Sequence, residues 1–239
     1  MRRSDYGFEG KVTMLIAIEG LDGAGKLTQS RLLRERVILD DVHTAKVISF
    51  PRYGNTLFAK LIADYLNGKF GGLKDVSAYF VAMLFAGDRL QKREVLLHAM
   101  AKYDVVICDR YVASNMAYQG ARVQPRERWS FISWVSQLEY KVYRLPKADL
   151  TVYLRMSVDA TQRNVLKKGV RCYTNLKADV HERSNELLRS CQGVYDQLAR
   201  RNAQSRWIRV DCEEHSGGVR AKADIANEVW RQLRRTLNL

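Results

Sequence analysis

Residues 14–29 read MLIAIEGLDGAGKLTQ, and the reading of this stretch decides the fold. Met14 to Glu19 is a compact apolar run with the length of a buried strand. Behind it, Gly20-x-x-x-x-Gly25-Lys26 has the spacing of a phosphate-binding loop. From Lys26 a helical pattern begins that places Leu32, Leu33 and Val37 on one side. Strand, glycine loop and helix, in that order, are the context the motif requires. The glycines let successive backbone N–H groups turn inward around phosphate oxygens. The helix start adds a partial positive charge and Lys26 a full one. The residues expected to hold a nucleoside triphosphate are therefore Gly20, Gly23, Ala24, Gly25, Lys26, Leu27 and Thr28.

Leu27 stands where such loops carry Ser or Thr, whose hydroxyl ligates Mg²⁺. Thr28 is no direct replacement, because each helical step turns the side chain by about 100°. Mg²⁺ keeps much of its water and often takes only one or two carboxylates. Water, nucleotide oxygens and carboxylates are then the expected holders.

Outward from the loop, short apolar runs at 45–50, 104–108, 148–154 and 206–210 read as further strands. Helical patterns fill 55–66, 75–100, 126–143, 158–166, 179–200 and 219–237. In the long one, Val76, Phe80, Met83 and Leu84 recur at helical spacing. Residues 167–177 are basic and lack apolar periodicity, which predicts an exposed loop or lid spanning about 167–180. Alternating strands and helices imply an α/β fold: a five-stranded parallel sheet covered by helices on both faces. The glycine loop and Asp109-Arg110 both fall at carboxyl ends of strands, where such sheets bind ligands. Arg110 there can clamp a phosphate with its fork of donors, or simply pair with Asp109. One domain over 14–239 is expected, behind a basic tail at 1–13.

Composition narrows the class. Of 239 residues, 46% are hydrophobic, which suits a globular chain. No apolar run approaches the roughly 20 residues of a membrane span, and the start lacks a secretory pattern. Four scattered cysteines, without C-x-x-C spacing, argue against a zinc site or a disulfide scaffold and for a cytoplasmic protein. The net charge of +14 suggests an anionic partner, yet no nucleic-acid-binding signature accompanies it, so nucleic acid is not the expected one.

Phe50-Pro51-Arg52-Tyr53-Gly54, Leu84-Phe85-Ala86-Gly87-Asp88-Arg89, Asp109-Arg110-Tyr111 with Ser114-Asn115, and Ala117-Tyr118-Gln119-Gly120 follow in order. Together with the glycine loop they resemble the thymidylate kinase family, P-loop nucleoside monophosphate kinases, from residue 14 to about 195. The resemblance implies a P-loop kinase fold with a lid, ATP and dTMP as substrates, Mg²⁺ as cofactor, and a homodimer with the long 75–100 helix as a possible interface. By the same resemblance Phe85 would stack on the base, Arg89 would bond the thymine edge and Asn115 would read its amide side. Tyr118 would pack under the deoxyribose, Tyr53 would contact the acceptor phosphate, and Phe50, Arg52 and Gln119 would complete that pocket. Lys26, Arg110 and Asp22 would serve catalysis, and Asp22, near the phosphates, would also help to place the metal. In one branch of the family an Arg inside the loop adds charge; here that position is Gly23, so the lid would supply it, with Arg163, Lys167, Lys168 and Arg171 as candidates. Asp179-Val180-His181-Glu182 resembles an acidic lid-end segment, with Glu182 as a second metal carboxylate.

Two other functions are open to the same residues. A deoxynucleoside kinase shares the loop but needs a carboxylate base soon after the second strand, where only Arg52 and Tyr53 are ionisable. A P-loop protein that binds nucleotide without transferring phosphate would explain Leu27, but not the acceptor-pocket motifs.

Overall fold

The computed structural model describes residues 13–39, 44–54, 56–167, 181, 184–214 and 216–237. Residues 1–12 of the expected tail and residues 168–180 of the expected lid, with Lys168, Arg171 and Asp179, lie outside the described residues, as does Glu182.

Five strands form one sheet in the order β2-β3-β1-β4-β5, with every pairing parallel. They are β1 (Met14–Glu19), β2 (Ala45–Ser49), β3 (Val105–Asp109), β4 (Leu150–Arg155) and β5 (Arg206–Asp211). β1 shows why the sheet needs cover on both faces. Leu15 and Ala17 enter one core with α-helical partners such as Tyr195 and Phe131, whereas Ile16 and Ile18 enter the other with Leu33 and Val229. Period-two alternation of an all-apolar strand thus builds two cores at once.

α1 (Lys26–Leu39) and α9 (Lys222–Leu237) pack on one face. The other face carries α4 (Arg93–Lys102), α5 (Val112–Gly120), α6 (Arg128–Ser136) and α8 (Asn185–Arg200). α2 (Leu57–Leu66) and α3 (Ala78–Gln91) enclose a smaller cluster of Ile62, Tyr65, Leu66, Val81 and Leu84. α7 (Val158–Leu166) follows β4. Among the described residues no helix is long and apolar enough to cross a membrane.

Three local expectations change. The 75–100 pattern is two helices, interrupted at Lys92, whose φ of −109° and ψ of 11° leave the helical region. On α3 the buried face is Val81, Ala82, Leu84 and Ala86; Phe80 and Met83 are 44% and 41% exposed. The 126–143 segment ends in a π-helical stretch, Gln137–Val142. α5 carries no expectation from periodicity, because eight of its nine residues are buried and its sequence shows no polar face.

Candidate active site

The phosphate loop joins β1 to α1 at the carboxyl edge of the sheet. Its shape demands glycine at two points by direct contact. A Cβ on Gly20 would lie 2.5 Å from the Leu154 carbonyl oxygen of β4. One on Gly23 would lie 2.2 Å from the Thr161 carbonyl oxygen of α7. Asn164 of α7 also donates from Nδ2 to the Gly23 carbonyl at 3.0 Å, so α7 is the platform under the loop. This contact gives a physical reason for glycine at residue 23, where a side chain would have to pass through α7. Ala24 is buried, Thr28 is half-buried and Leu27 is 40% exposed.

Lys26, 6% exposed, donates from Nζ to the Leu21 carbonyl at 2.8 Å and lies 3.9 Å from Asp22 Oδ1. Burial, then the Arg110 cation, pushes its pKa down to about 8, against the pull of the Asp22, Asp109 and Glu19 carboxylates. Asp22 bonds Arg110 Nη2 through Oδ1 and accepts from the Tyr118 hydroxyl at 2.9 Å through Oδ2. Burial works to raise the Asp22 carboxyl, but Arg110, Lys26 and the Tyr118 bond together hold it far below the usual carboxylate range. Burial likewise opposes the Arg110 charge, and the Asp22 carboxylate keeps its pKa well above the ordinary value. Arg110 therefore pairs with the loop aspartate and not with its neighbour Asp109. Its φ of +65° is the left-handed region, rare for a residue with a Cβ. That turn aims the guanidinium back across the loop, 5.3 Å over the Tyr118 ring.

Glu19, which sequence reasoning passed over, fixes this turn. It is fully buried at the end of β1 and accepts from the backbone N–H groups of Tyr111 (2.8 Å) and Ser114 (3.1 Å). It also accepts from the Ser114 hydroxyl (2.6 Å) and the Tyr195 hydroxyl (3.0 Å). A carboxylate at the amino end of α5 satisfies N–H groups that have no partner inside the helix. Burial still dominates and raises the Glu19 pKa. Its sequence signal is weak, because a lone Glu at a strand end has no spacing to another acid.

The residues expected on the acceptor side come from the loop after β2, from α3 and from α5. Phe50 is buried 6.2 Å from the Tyr111 ring, beside the cis Phe50–Pro51 peptide. Asp88 ties the following loop to α3 by accepting from the Arg52 N–H (3.1 Å) and the Thr56 hydroxyl (2.6 Å). Arg52 lines a cleft of about 500 Å³ with Lys46, His98 and Lys102, while Tyr53 packs on the α2–α3 cluster. Gln119 is buried and accepts from Arg122 at 2.7 Å. Arg89 is buried in a two-pronged pair with Glu139: Nη2 reaches Oε1 at 2.7 Å and Nε reaches Oε2. Asn115 joins them, donating from Nδ2 to Glu139 Oε1 at 2.9 Å.

Phe85 and Tyr118 face a ring that periodicity could not point to. His181 lies nearly parallel to both, with centroids 6.5 and 5.4 Å away, and its Nε2 is 3.0 Å from the Tyr65 hydroxyl. Burial, then the Arg122 cation, pushes its pKa down to about 3, so the imidazole is neutral. Arg163 and Lys167 are exposed at the end of α7.

The residues present accommodate Mg²⁺ only sparingly. Among the described residues no group of three His, Cys, Asp or Glu side chains could hold an ion. Asp22 is ionised, and its side chain is 34% exposed beside Lys26. A single carboxylate suits an ion that takes most of its shell from water and phosphate.

This geometry has close relatives. The sequence model of the thymidylate kinase family matches residues 18–223. A thymidylate kinase of Mycobacterium tuberculosis is 36% identical over 208 residues, covering 87% of this chain and 96% of its own length. The thymidylate kinase of Homo sapiens is 30% identical over 177 residues, covering 69% and 77%. In three dimensions the thymidylate kinase of Candida albicans superposes with a TM-score of 0.69 at 22% identity, over 95% of this chain and 93% of its own. That superposition speaks for the P-loop kinase fold, and the sequence matches go further: the chain belongs to the thymidylate kinase family.

Proposed function

We propose that the chain transfers the γ-phosphoryl group of ATP to dTMP, giving ADP and dTDP. The observation that carries this reading is the junction of two sites at one sheet edge. The phosphate loop meets Arg110 through Asp22, and Asp22 meets Tyr118 of the acceptor pocket through a 2.9 Å hydrogen bond. Transfer between two phosphates needs positioned positive charge more than it needs a base. Lys26 and the loop N–H groups hold the donor, and Arg110 clamps the acceptor phosphate, whose oxygen attacks in line. Phe85, Arg89, Asn115 and Tyr118 bind the nucleoside, with Phe50, Arg52, Tyr53 and Gln119 around them. Mg²⁺, when bound, neutralises phosphate charge, and Asp22 would hold it through its water shell.

The single domain over 14–239, the lid at about 167–180 with Lys168 and Arg171, and Glu182 as a metal carboxylate complete the proposal. A homodimer fits the apolar face of α3, and a cytoplasmic location fits the free Cys108, Cys191 and Cys212. A hydroxyl acceptor is disfavoured, since Asp88, a carboxylate that meets the loop after the second strand, is buried and already bonded to Thr56 and Arg52. A coupled ADP-release assay with ATP, Mg²⁺, thymidine, dTMP and other monophosphates tests the reading. Turnover on dTMP is expected; turnover on thymidine alone, or none at all, overturns it.

A further inference from the structure

Glu139 has 0% exposure, yet it is a carboxylate, and burying one is costly unless it is paired and hydrogen-bonded. Stability alone is a weak reason to keep such a pair, because well-packed apolar residues often serve as well or better. Its position is telling. Glu139 lies in the π-helical stretch Gln137–Val142, an irregularity that re-aims a side chain and is common at functional sites.

From there Glu139 holds two residues at once. Oε1 accepts from Arg89 Nη2 and from Asn115 Nδ2, at 2.7 and 2.9 Å, while Oε2 accepts from Arg89 Nε. The second Asn115 Nδ2 hydrogen goes to the Ala82 carbonyl at 3.0 Å. A carboxylate and a carbonyl can only accept, so the Asn115 amide has one satisfactory orientation. Its nitrogen faces Glu139 and Ala82 and its oxygen is turned away. That oxygen, Oδ1, is buried and has no partner among the described residues. A buried acceptor left without a donor calls for one from a ligand. The third nitrogen of Arg89, Nη1, lies outside the fork to Glu139.

We propose that Glu139 is a positioning residue for base recognition: it locks Asn115 with its carbonyl oxygen, and Arg89 with its remaining nitrogen, toward the pyrimidine. The proposal rests on the dTMP reading above. Thymine and uracil offer an N3–H donor beside a carbonyl acceptor, matching Asn115 Oδ1 and an Arg89 donor. Cytosine offers a bare N3 acceptor beside an amino donor and meets a like group at both points. Glu139, which need not touch the base, thereby sets the choice between them.

The test compares dTMP, dUMP and dCMP on the full chain and on Glu139→Gln and Glu139→Asp, with thermal melts establishing that each variant is folded. Losing the charged fork is expected to raise KM for dTMP on the order of tenfold and leave kcat within about twofold. The dTMP-to-dCMP ratio of kcat/KM should fall by a similar factor. A purely structural role would lower the active fraction and leave KM and that ratio unchanged; that result in either folded variant overturns the proposal. If neither variant folds, binding to the unaltered protein decides. Affinity for 3-methyl-dTMP and dCMP at least tenfold below that for dTMP supports a locked Asn115 oxygen, and equal affinity overturns it. Failure of the unaltered protein to phosphorylate dTMP would defeat the underlying reading instead, so the two failures are distinct.

Discussion

Leu27 projects from the first turn of α1 with 40% of its surface exposed, leaving a hydrocarbon where most such loops present a hydroxyl. Replacing it by Ser supplies a ligand without filling a packed space. Leu27→Ser should therefore lower the Mg²⁺ concentration for half-maximal activity severalfold, measured by metal titration of the ADP-release rate. Beside it, Lys26 titrates near a pKa of about 8 because burial and Arg110 oppose its charge. The sign follows: below that value the lysine is charged and ready for phosphate, and above it the ligand-free protein loses the charge. ATP affinity should be flat below pH 8 and weaken above it, with proton uptake on binding, as calorimetry in buffers of different ionisation enthalpy would show. Lys26→Met should bind weakly at every pH and lose that dependence. The identity of both residues was plain from G-x-x-x-x-G-K spacing; the depressed pKa was not, because Arg110 is remote in sequence.

At the level of elements, α5 is the piece that ties the phosphate loop to the proposed acceptor residues. Its amino end is fastened to β1 by Glu19, and from it come Asn115, Tyr118 and Gln119. Glu19→Ala would leave two backbone N–H groups and two hydroxyls without their acceptor in a dry core. A loss of about 3 kcal/mol or more is expected, read from denaturant melts. Activity should fall further than the folded fraction, because Arg110 stands on the same turn. This helix escaped the hydrophobic pattern for the reason that makes it central. Buried on nearly all sides, it has no polar stripe to reveal a period. The α3–α4 break was hidden for the opposite reason, since apolar residues recur across Lys92 and only its backbone angles mark the interruption.

For the whole molecule, the exposed apolar residues of α3 are the conspicuous surface feature. Phe80, Met83 and Leu90 share one helical face at 44, 41 and 39% exposure. Such a face on a surface helix suits a self-complementary contact between two copies. The double variant Phe80→Glu, Met83→Glu should sediment as a monomer under conditions where the unaltered chain sediments as a dimer. Its melting temperature should then stop rising with protein concentration. Helical spacing did bring Phe80 and Met83 forward, together with Val76 and Leu84; the fold separates them, because Val81, Ala82 and Leu84 take the inner side and Phe80 and Met83 face outward.

The sequence by itself determined the sheet, the phosphate loop and the family, since each rests on local order: apolar runs of strand length, glycine spacing, and motifs in register. The partners within the site were decided only in three dimensions. Arg110 chose Asp22, 88 residues away, and Arg89 chose Glu139, 50 residues away. His181 came to lie against Phe85 and Tyr118. A buried charge must find a counter-charge wherever packing brings one near, and no spacing rule along the chain encodes that meeting.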